Sequence, residues 1–372
     1  MTESRLFKPL KIGNMELKHR IGMAPLTRLR ATADRVPLPV MKEYYSQRAC
    51  VPGTLIISEG TIVSPAAGGG WPHAPGIWRK DQVAAWRTIT DEVHRKGGFI
   101  FCQIFAFGPA ADTEIADREG IVVLGPSAIP TPGEGHPVPR PMTREDIKQT
   151  VEEFAVAARN AIDAGFDGVE VHAANGYLLD SFIQDVSNRR TDEYGGSVEN
   201  RSRFVDEIMK AAVEAVGAAR VGLQLSPWST FQGMGMADPI PQYSDVIHKA
   251  NRLELAYLHL IESRISGTQE VERTEGLDFA YEIWDRPILL AGEFQAANAQ
   301  KLVDEEYPGK DIVIAFGRYF ISNPDLVYRI QKGLVLSAYD RNTFYTNWAA
   351  GYVDYQFSPE YLAGTHPQVG LA

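Results

Sequence analysis

Residues able to do chemistry recur in this chain at one kind of place, the C-terminal end of a short apolar run. Glu59 and Gly60 follow the run 54–58, Gln103 closes 99–103, and His172 closes 168–172 with Asn175 and Tyr177 just beyond. Gln224 stands near the end of 220–225, and Glu262 follows 257–261. Gly292 follows 287–291, and Gly317 and Arg318 follow 311–316. The first run, 21–26, carries Pro25 and leads into Thr27. Polar groups at so many run ends point to one large polar ligand. Gly292, Gly317 and Arg318 have the character of a phosphate site: glycine lets backbone N–H groups approach an anion, and arginine offers a planar fork of donors. A single Gly-Arg pair is ordinarily a turn with a surface charge, and a single strand-end histidine is ordinarily structural. His, Asn and Tyr at one run end, opposite a phosphate site, read as function.

These positions need elements that gather them. Each of the eight runs has the length of a strand and is too short for a helix. Helical apolar spacing lies between most of them, most clearly over 81–96 and 144–164, the second opened by the capping pair Thr143 and Asp146. Eight strand–helix units predict a parallel sheet closed into a (β/α)8 TIM barrel, α/β in class, with residues 1–372 as one domain. Such barrels work at the C-terminal ends of their strands and bind phosphate after strands seven and eight. An open doubly wound sheet is the runner-up, and its Gly-x-Gly-x-x-Gly is missing after the first strand. Two segments fall outside the units. The long loop after strand three, 104–142, is rich in Pro and Gly, and loops of that length tend to form lids or pocket walls. The aromatic C-terminal segment 339–357 is expected to fold back over the barrel mouth.

The bulk numbers exclude other classes. The 372 residues carry a net charge of −10 and no dense Lys/Arg run, which argues against nucleic acid and acidic membranes as partners. The two cysteines, Cys50 and Cys102, form no metal or redox motif and suit a reducing compartment. With neither an apolar signal core at the start nor a membrane-length apolar stretch, a cytoplasmic enzyme without a metal is expected.

Several long motifs then carry a resemblance. VEVHAANGYLL at 169–179, RTDEYGGS at 190–197 with Asn200, Arg201 and Arg203, and GRYFISNPD at 317–325 resemble the Old Yellow Enzyme family of FMN-dependent ene-reductases. The likeness runs from Leu6 to about Tyr361. AYLHL at 256–260 and the segment 352–362 look nearest to the fungal secondary-metabolism branch, which includes ergot-alkaloid-type reductases. The resemblance implies FMN as cofactor, NADPH or NADH as reductant, and a small enone or enal as substrate, in a monomer or homodimer. It implies that Pro25, Thr27, Gly60, Gln103 and Gln224 surround the flavin ring and that Gly292, Gly317 and Arg318 hold its phosphate. It implies that His172 and Asn175 bind the substrate carbonyl, that Tyr177 is the proton donor, and that Phe105, Phe231 and Tyr345 line the substrate cavity. A phenol, with a reference pKa of about 10, stays protonated at neutral pH and can serve as an acid.

Three departures qualify this. Gln224 stands where the family usually has Arg or Lys, so the reduced, anionic ring loses a neighbouring cation. Phe105 stands for a Trp, which widens the cavity, and Pro109 stands for an Arg near the ring edge. Glu293 follows Gly292 beside the expected phosphate, where a carboxylate is unfavourable unless it turns away. Beside the ene-reductase stands an alternative: a non-redox isomerase or cyclase that uses His172, Asn175 and Tyr177 with the flavin a spectator or absent. A non-catalytic binding protein is disfavoured by the intact trio.

Overall fold

The computed structural model describes residues 4–266, 269–270 and 275–364. Eight parallel strands form the barrel: β1 Ile21–Met23, β2 Leu55–Ile57, β3 Phe99–Phe105, β4 Gly168–Ala173, β5 Val221–Leu225, β6 Tyr257–Ile261, β7 Ile288–Ala291 and β8 Ile312–Phe316. They pair in chain order, and both β8 with β1 and β2 with β3 are hydrogen-bonded, so the sheet has no open edge. All eight expected runs are strands, with ends shifted for physical reasons. The ladder of β1 stops early because Pro25 has no N–H to give. β3 runs two residues further than expected because Ile104 and Phe105 pair with Thr61 and Ile62.

Helices cover the outside: α1 Pro39–Arg48, α2 Lys80–Arg95, α3 Arg144–Asp163, α4 Val198–Val216, α5 Ile240–Arg252, α6 Asp278–Ile283, α7 Ala296–Lys301 and α8 Leu326–Lys332. The capping box of α3 is present: Asp146 N–H donates to Thr143 Oγ1 at 3.1 Å, and Thr143 N–H to Asp146 Oδ2 at 2.7 Å. Ser197 caps α4 through Asn200 N–H at 3.2 Å, which explains the Gly195-Gly196-Ser197 run as turn and cap. No helix of the described residues is long and apolar enough to cross a membrane. Cys50 and Cys102 are both free thiols.

The barrel interior is filled from the bottom up. A hairpin, Leu10–Ile12 with Met15–Leu17, closes the N-terminal end, its apolar face packing on Leu55, Ile57, Phe101, Tyr257, Leu289 and Val313. Two glycines admit rings into this layer. A Cβ on Gly222 would lie 2.3 Å from the Tyr257 ring, and one on Gly168 2.4 Å from Phe101. Above the apolar layer comes a polar one, built from Gln103, Glu170, Gln224, Tyr257 and His259, all buried. Glu170 accepts hydrogen bonds from Gln103 Nε2 at 2.8 Å, Tyr257 Oη at 3.0 Å and His259 Nδ1 at 2.8 Å.

The C-terminal segment does return to the barrel mouth, held by two arginines that follow β1. Arg28 donates to the carbonyls of Phe344, Thr343 and Gly351. Arg30 donates to the carbonyls of Trp348, Phe344, Thr343 and Ala350 and to Thr346 Oγ1. Tyr352 stacks on Tyr44 at 4.2 Å, and the Arg48 guanidinium lies 3.8 Å from the centre of the Tyr44 ring. Burial pushes the enclosed Glu59 carboxyl up to about 7, opposed by the N–H groups of Arg28 and Leu29 that donate to it. Arg30→Ala would strand several buried carbonyls, at roughly 1–3 kcal/mol each where water cannot replace the donor. We expect that variant to lose about 3 kcal/mol in denaturant unfolding, and to be cut faster within 339–357 by limited proteolysis. Parental cleavage kinetics would show that the arginine does not hold the segment.

Candidate active site

The polar ends of the strands open into one cavity of about 510 Å3 at the C-terminal face of the barrel. The structure brings Pro25, Thr27, Gly60, Gln103, Phe105, His172, Asn175, Tyr177, Gln224, Phe231, Gly292, Gly317, Arg318 and Tyr345 to its wall, whereas the strand-end carboxyls of Glu59 and Glu262 do not border it. Parallel register explains part of this. His172, Gln224 and His259 are paired across β4, β5 and β6, so all three side chains point inward at one height. Gln224 is the member of the polar layer level with His172, its Oε1 accepting from Gln103 Nε2 at 2.9 Å, and it is nearly inaccessible to water.

Three groups stand on one side. His172 Nδ1 accepts the Ala174 N–H at 3.4 Å, which places the ring proton on Nε2. Burial lowers the His172 pKa to about 4, so the ring is neutral and acts as an N–H donor at pH 7. Asn175 is held in left-handed backbone, φ 56°, and its buried Oδ1 has no partner among the described residues, leaving the amide to a ligand. The Tyr177 ring is enclosed by Trp71, Phe105, Phe107 and His172 at centroid distances of 5.9, 5.4, 5.9 and 5.1 Å. That dry surround raises the phenol pKa well above its usual value and keeps the proton on the oxygen.

The opposite end is built for an anion. Arg318 Nη2 pairs with Glu270 at 2.7 Å, while its Nη1 is buried and has no partner among the described residues. Gly292 adopts φ 150°, and a Cβ there would lie 2.7 Å from Glu262 Cβ. A Cβ on Gly317 would meet only Leu26, at 3.5 Å, so the backbone faces open cavity. An unpartnered guanidinium N–H beside two cavity-lining glycines fits a phosphate, and Thr27, Gln103 and Gln224 supply polar groups for a heteroaromatic ring. The residues present thus fit FMN.

The structure revises the departures. Trp71, from the loop Gly68-Gly69-Gly70 after β2, packs 6.4 Å from Phe105, so a second large ring borders the cavity beside it. Gly70 allows this arrangement, since a Cβ there would collide with Phe107 at 2.1 Å. Pro109 does not border the cavity: it sits in the turn Gly108–Ala110, packed on Gly125 and accepting from Thr131 Oγ1 at 2.9 Å. Glu293 is exposed, with its backbone at φ 43°, and borders the cavity beside Gly292. Residues that the sequence reading missed are Trp71, Tyr339 and Glu270. A tryptophan after three glycines, in a loop leaving a strand's C-terminal end, was the available signal for the first.

Comparisons with known proteins agree with this geometry. A model of the NADH:flavin oxidoreductase / NADH oxidase family matches residues 5–337. Chanoclavine-I aldehyde reductase fgaOx3 of Penicillium roqueforti is 49% identical over 361 residues, covering 96% of this chain and 98% of that protein. A probable inactive dehydrogenase, easA of Claviceps purpurea, is 46% identical over 372 residues and covers 97% of each chain. The old yellow enzyme homologue from Zymomonas mobilis has the same fold at TM-score 0.89 and 38% identity, spanning 94% of this chain and 99% of that one. By family model, relatives and fold alike, the chain belongs to the NADH:flavin oxidoreductase family, as an FMN-dependent, NAD(P)H-using oxidoreductase of Old Yellow Enzyme type.

Proposed function

We propose that this protein reduces the carbon–carbon double bond of a small α,β-unsaturated aldehyde or ketone, in fungal secondary metabolism. The observation that carries the reading is the convergence of a neutral His172 N–H donor, an Asn175 amide without a partner for its oxygen, and a protonated Tyr177 on one cavity wall. The relatives support it: one is named an aldehyde reductase, and the family is defined by flavin chemistry.

When bound, FMN supplies hydride taken from NAD(P)H. The chain's own residues do the rest. His172 Nε2–H and the Asn175 amide hold the substrate's carbonyl oxygen and stabilise the enolate that forms as hydride reaches the β-carbon. Tyr177 O–H then breaks to give its proton to the α-carbon, and the phenolate recovers a proton from water. The rings of Trp71, Phe105 and Phe107 pack around the Tyr177 ring and set its direction. Arg318, Gly292 and Gly317 hold the cofactor phosphate, and Gln103 and Gln224 face the ring. The working enzyme is a cytoplasmic monomer or homodimer.

A second reading, proton-transfer isomerisation or cyclisation by the same trio, is favoured by one observation. Gln224 puts a dipole rather than a charge beside the ring, and reduction of the ring then lacks a full counter-charge.

Two measurements separate these. In Tyr177→Phe, NAD(P)H should reduce the flavin at the parental rate, while reoxidation by an enone slows ~10²–10⁴-fold. Unchanged reoxidation would remove Tyr177 from the role of proton donor. The second concerns Gln224→Arg. A unit charge about 4 Å from the reduced ring, at an effective dielectric of about 20, is worth at most roughly 4 kcal/mol, somewhat under ~90 mV for two electrons. The reduction potential should therefore rise by tens of millivolts after screening. For an ene-reductase the reductive half-reaction quickens with it; for an isomerase turnover stays flat or falls. A potential that does not move contradicts the placement of Gln224 against the ring.

A further inference from the structure

The short turn that joins Asn175 to Tyr177 is an unfavourable piece of backbone. Asn175 and Gly176 are both left-handed, at φ 56° and 75°, and only glycine adopts that region without cost. Such a conformation persists where its surroundings over-determine it. Two buried acceptors do so here. Ser226 Oγ accepts the Asn175 N–H at 2.8 Å, and Asp180 Oδ2 accepts the Gly176 N–H at 2.8 Å.

Asp180 is fully buried and does not border the cavity. Its other oxygen accepts Tyr243 Oη–H at 2.7 Å and Gln184 Nε2–H at 3.4 Å. Gln184 also donates to Tyr243 Oη at 2.8 Å, and its own Oε1 accepts the Gly235 N–H at 3.1 Å. Gly235 ends the loop that carries Phe231 and Gln232, and that loop presses on the turn: a Cβ added to Gly176 would lie 2.7 Å from Gln232 Cβ. One network of Asp180, Tyr243 and Gln184, all buried, thus ties the turn to the neighbouring loop that carries Phe231. His172 needs none of this, because it stands on β4 itself.

We propose that Asp180 is a positioning residue for alkene reduction: with Tyr243 and Gln184 it fixes the turn so that the Tyr177 hydroxyl reaches the α-carbon while His172 holds the carbonyl. This rests on the reading of Tyr177 as proton donor. It separates two functions by their supports: carbonyl binding by His172 on its strand and by Asn175, whose N–H is anchored by Ser226, and protonation by Tyr177 on the turn beyond, held by Asp180. A displacement of about 1 Å in a reacting group is enough to cost ~10²-fold in rate.

The test uses the FMN-loaded enzyme and two readouts. One is the rate at which 2-cyclohexenone reoxidises the reduced enzyme in single turnover. The other is the dissociation constant of a para-substituted phenol, whose phenolate oxygen takes the place of the enolate, read from its long-wavelength charge-transfer absorbance. Asp180→Ala should slow reoxidation ~10–100-fold while phenol binding stays within ~3-fold and reduction by NAD(P)H is unaltered. Asp180→Asn, whose amide oxygen still accepts the Gly176 N–H, should recover most of the rate. Reoxidation by Asp180→Ala at the parental rate overturns the role; so does a parallel fall in reoxidation, phenol binding and reduction, the pattern of a merely structural defect. If Asp180→Ala does not fold, Tyr243→Phe carries the test. It should slow reoxidation ~3–10-fold with phenol binding kept, and a parental rate there overturns the proposal. Tyr177→Phe in the same assay keeps the two claims apart. A slow Tyr177→Phe beside a fast Asp180→Ala overturns positioning alone, whereas a fast Tyr177→Phe overturns the proton-donor reading and this inference with it.

Discussion

Glu170 is a carboxylate with no access to water, standing inside a closed barrel. Leaving such a group without donors costs several kcal/mol, so its surroundings are dictated. Tyr257, His259 and Gln103 each donate to it, and Gln103 then donates onward to Gln224. The consequence is a floor. Two glutamines are oriented by the carboxylate below them and present their remaining polar groups to the cavity above. Gly222 belongs to the same constraint, because the Tyr257 ring that reaches Glu170 occupies the space a side chain there would need. His172 is aligned to that floor, since barrel register places it level with Gln224 and His259.

Much of this could be read from the residues. Eight apolar runs of strand length, each closed by a polar residue or glycine, are what a barrel with a functional C-terminal face must look like, and all eight are strands. The Thr143–Asp146 cap was visible because both partners lie within one turn. What stayed hidden depends on distant contacts. Arg28 and Arg30 look like ordinary surface charges until residues more than 300 positions away lay their carbonyls on them. The hairpin Leu10–Ile12 and Met15–Leu17 is too short for periodicity to show. Pro109 was misplaced because the chain turns away from the cavity at Gly108–Ala110, and Trp71 was missed because a loop residue's direction is not written in its neighbours.

The site divides chemically into a dry half and a polar half. Around Tyr177 four rings exclude water, which keeps the phenol protonated and also makes its phenolate costly, so the proton leaves only when the substrate takes it. Around Arg318 the charge is divided: Glu270 neutralises one arm while the other stays free for phosphate. Between them Gln224 lines the cavity with an amide rather than a cation. On the proposed placement of the cofactor, a cation faces the phosphate and only amide dipoles face the ring, so redox competence is the central question.

The central claim is that the bound flavin turns over rather than standing by. It is tested most directly by following the visible absorbance of the purified protein under anaerobic conditions. The account predicts a flavin band that bleaches on addition of NADPH or NADH and returns, with one equivalent of saturated product, when an enone is added. A band that resists the reduced nicotinamide, or one that bleaches and is not restored by the enone, would contradict it.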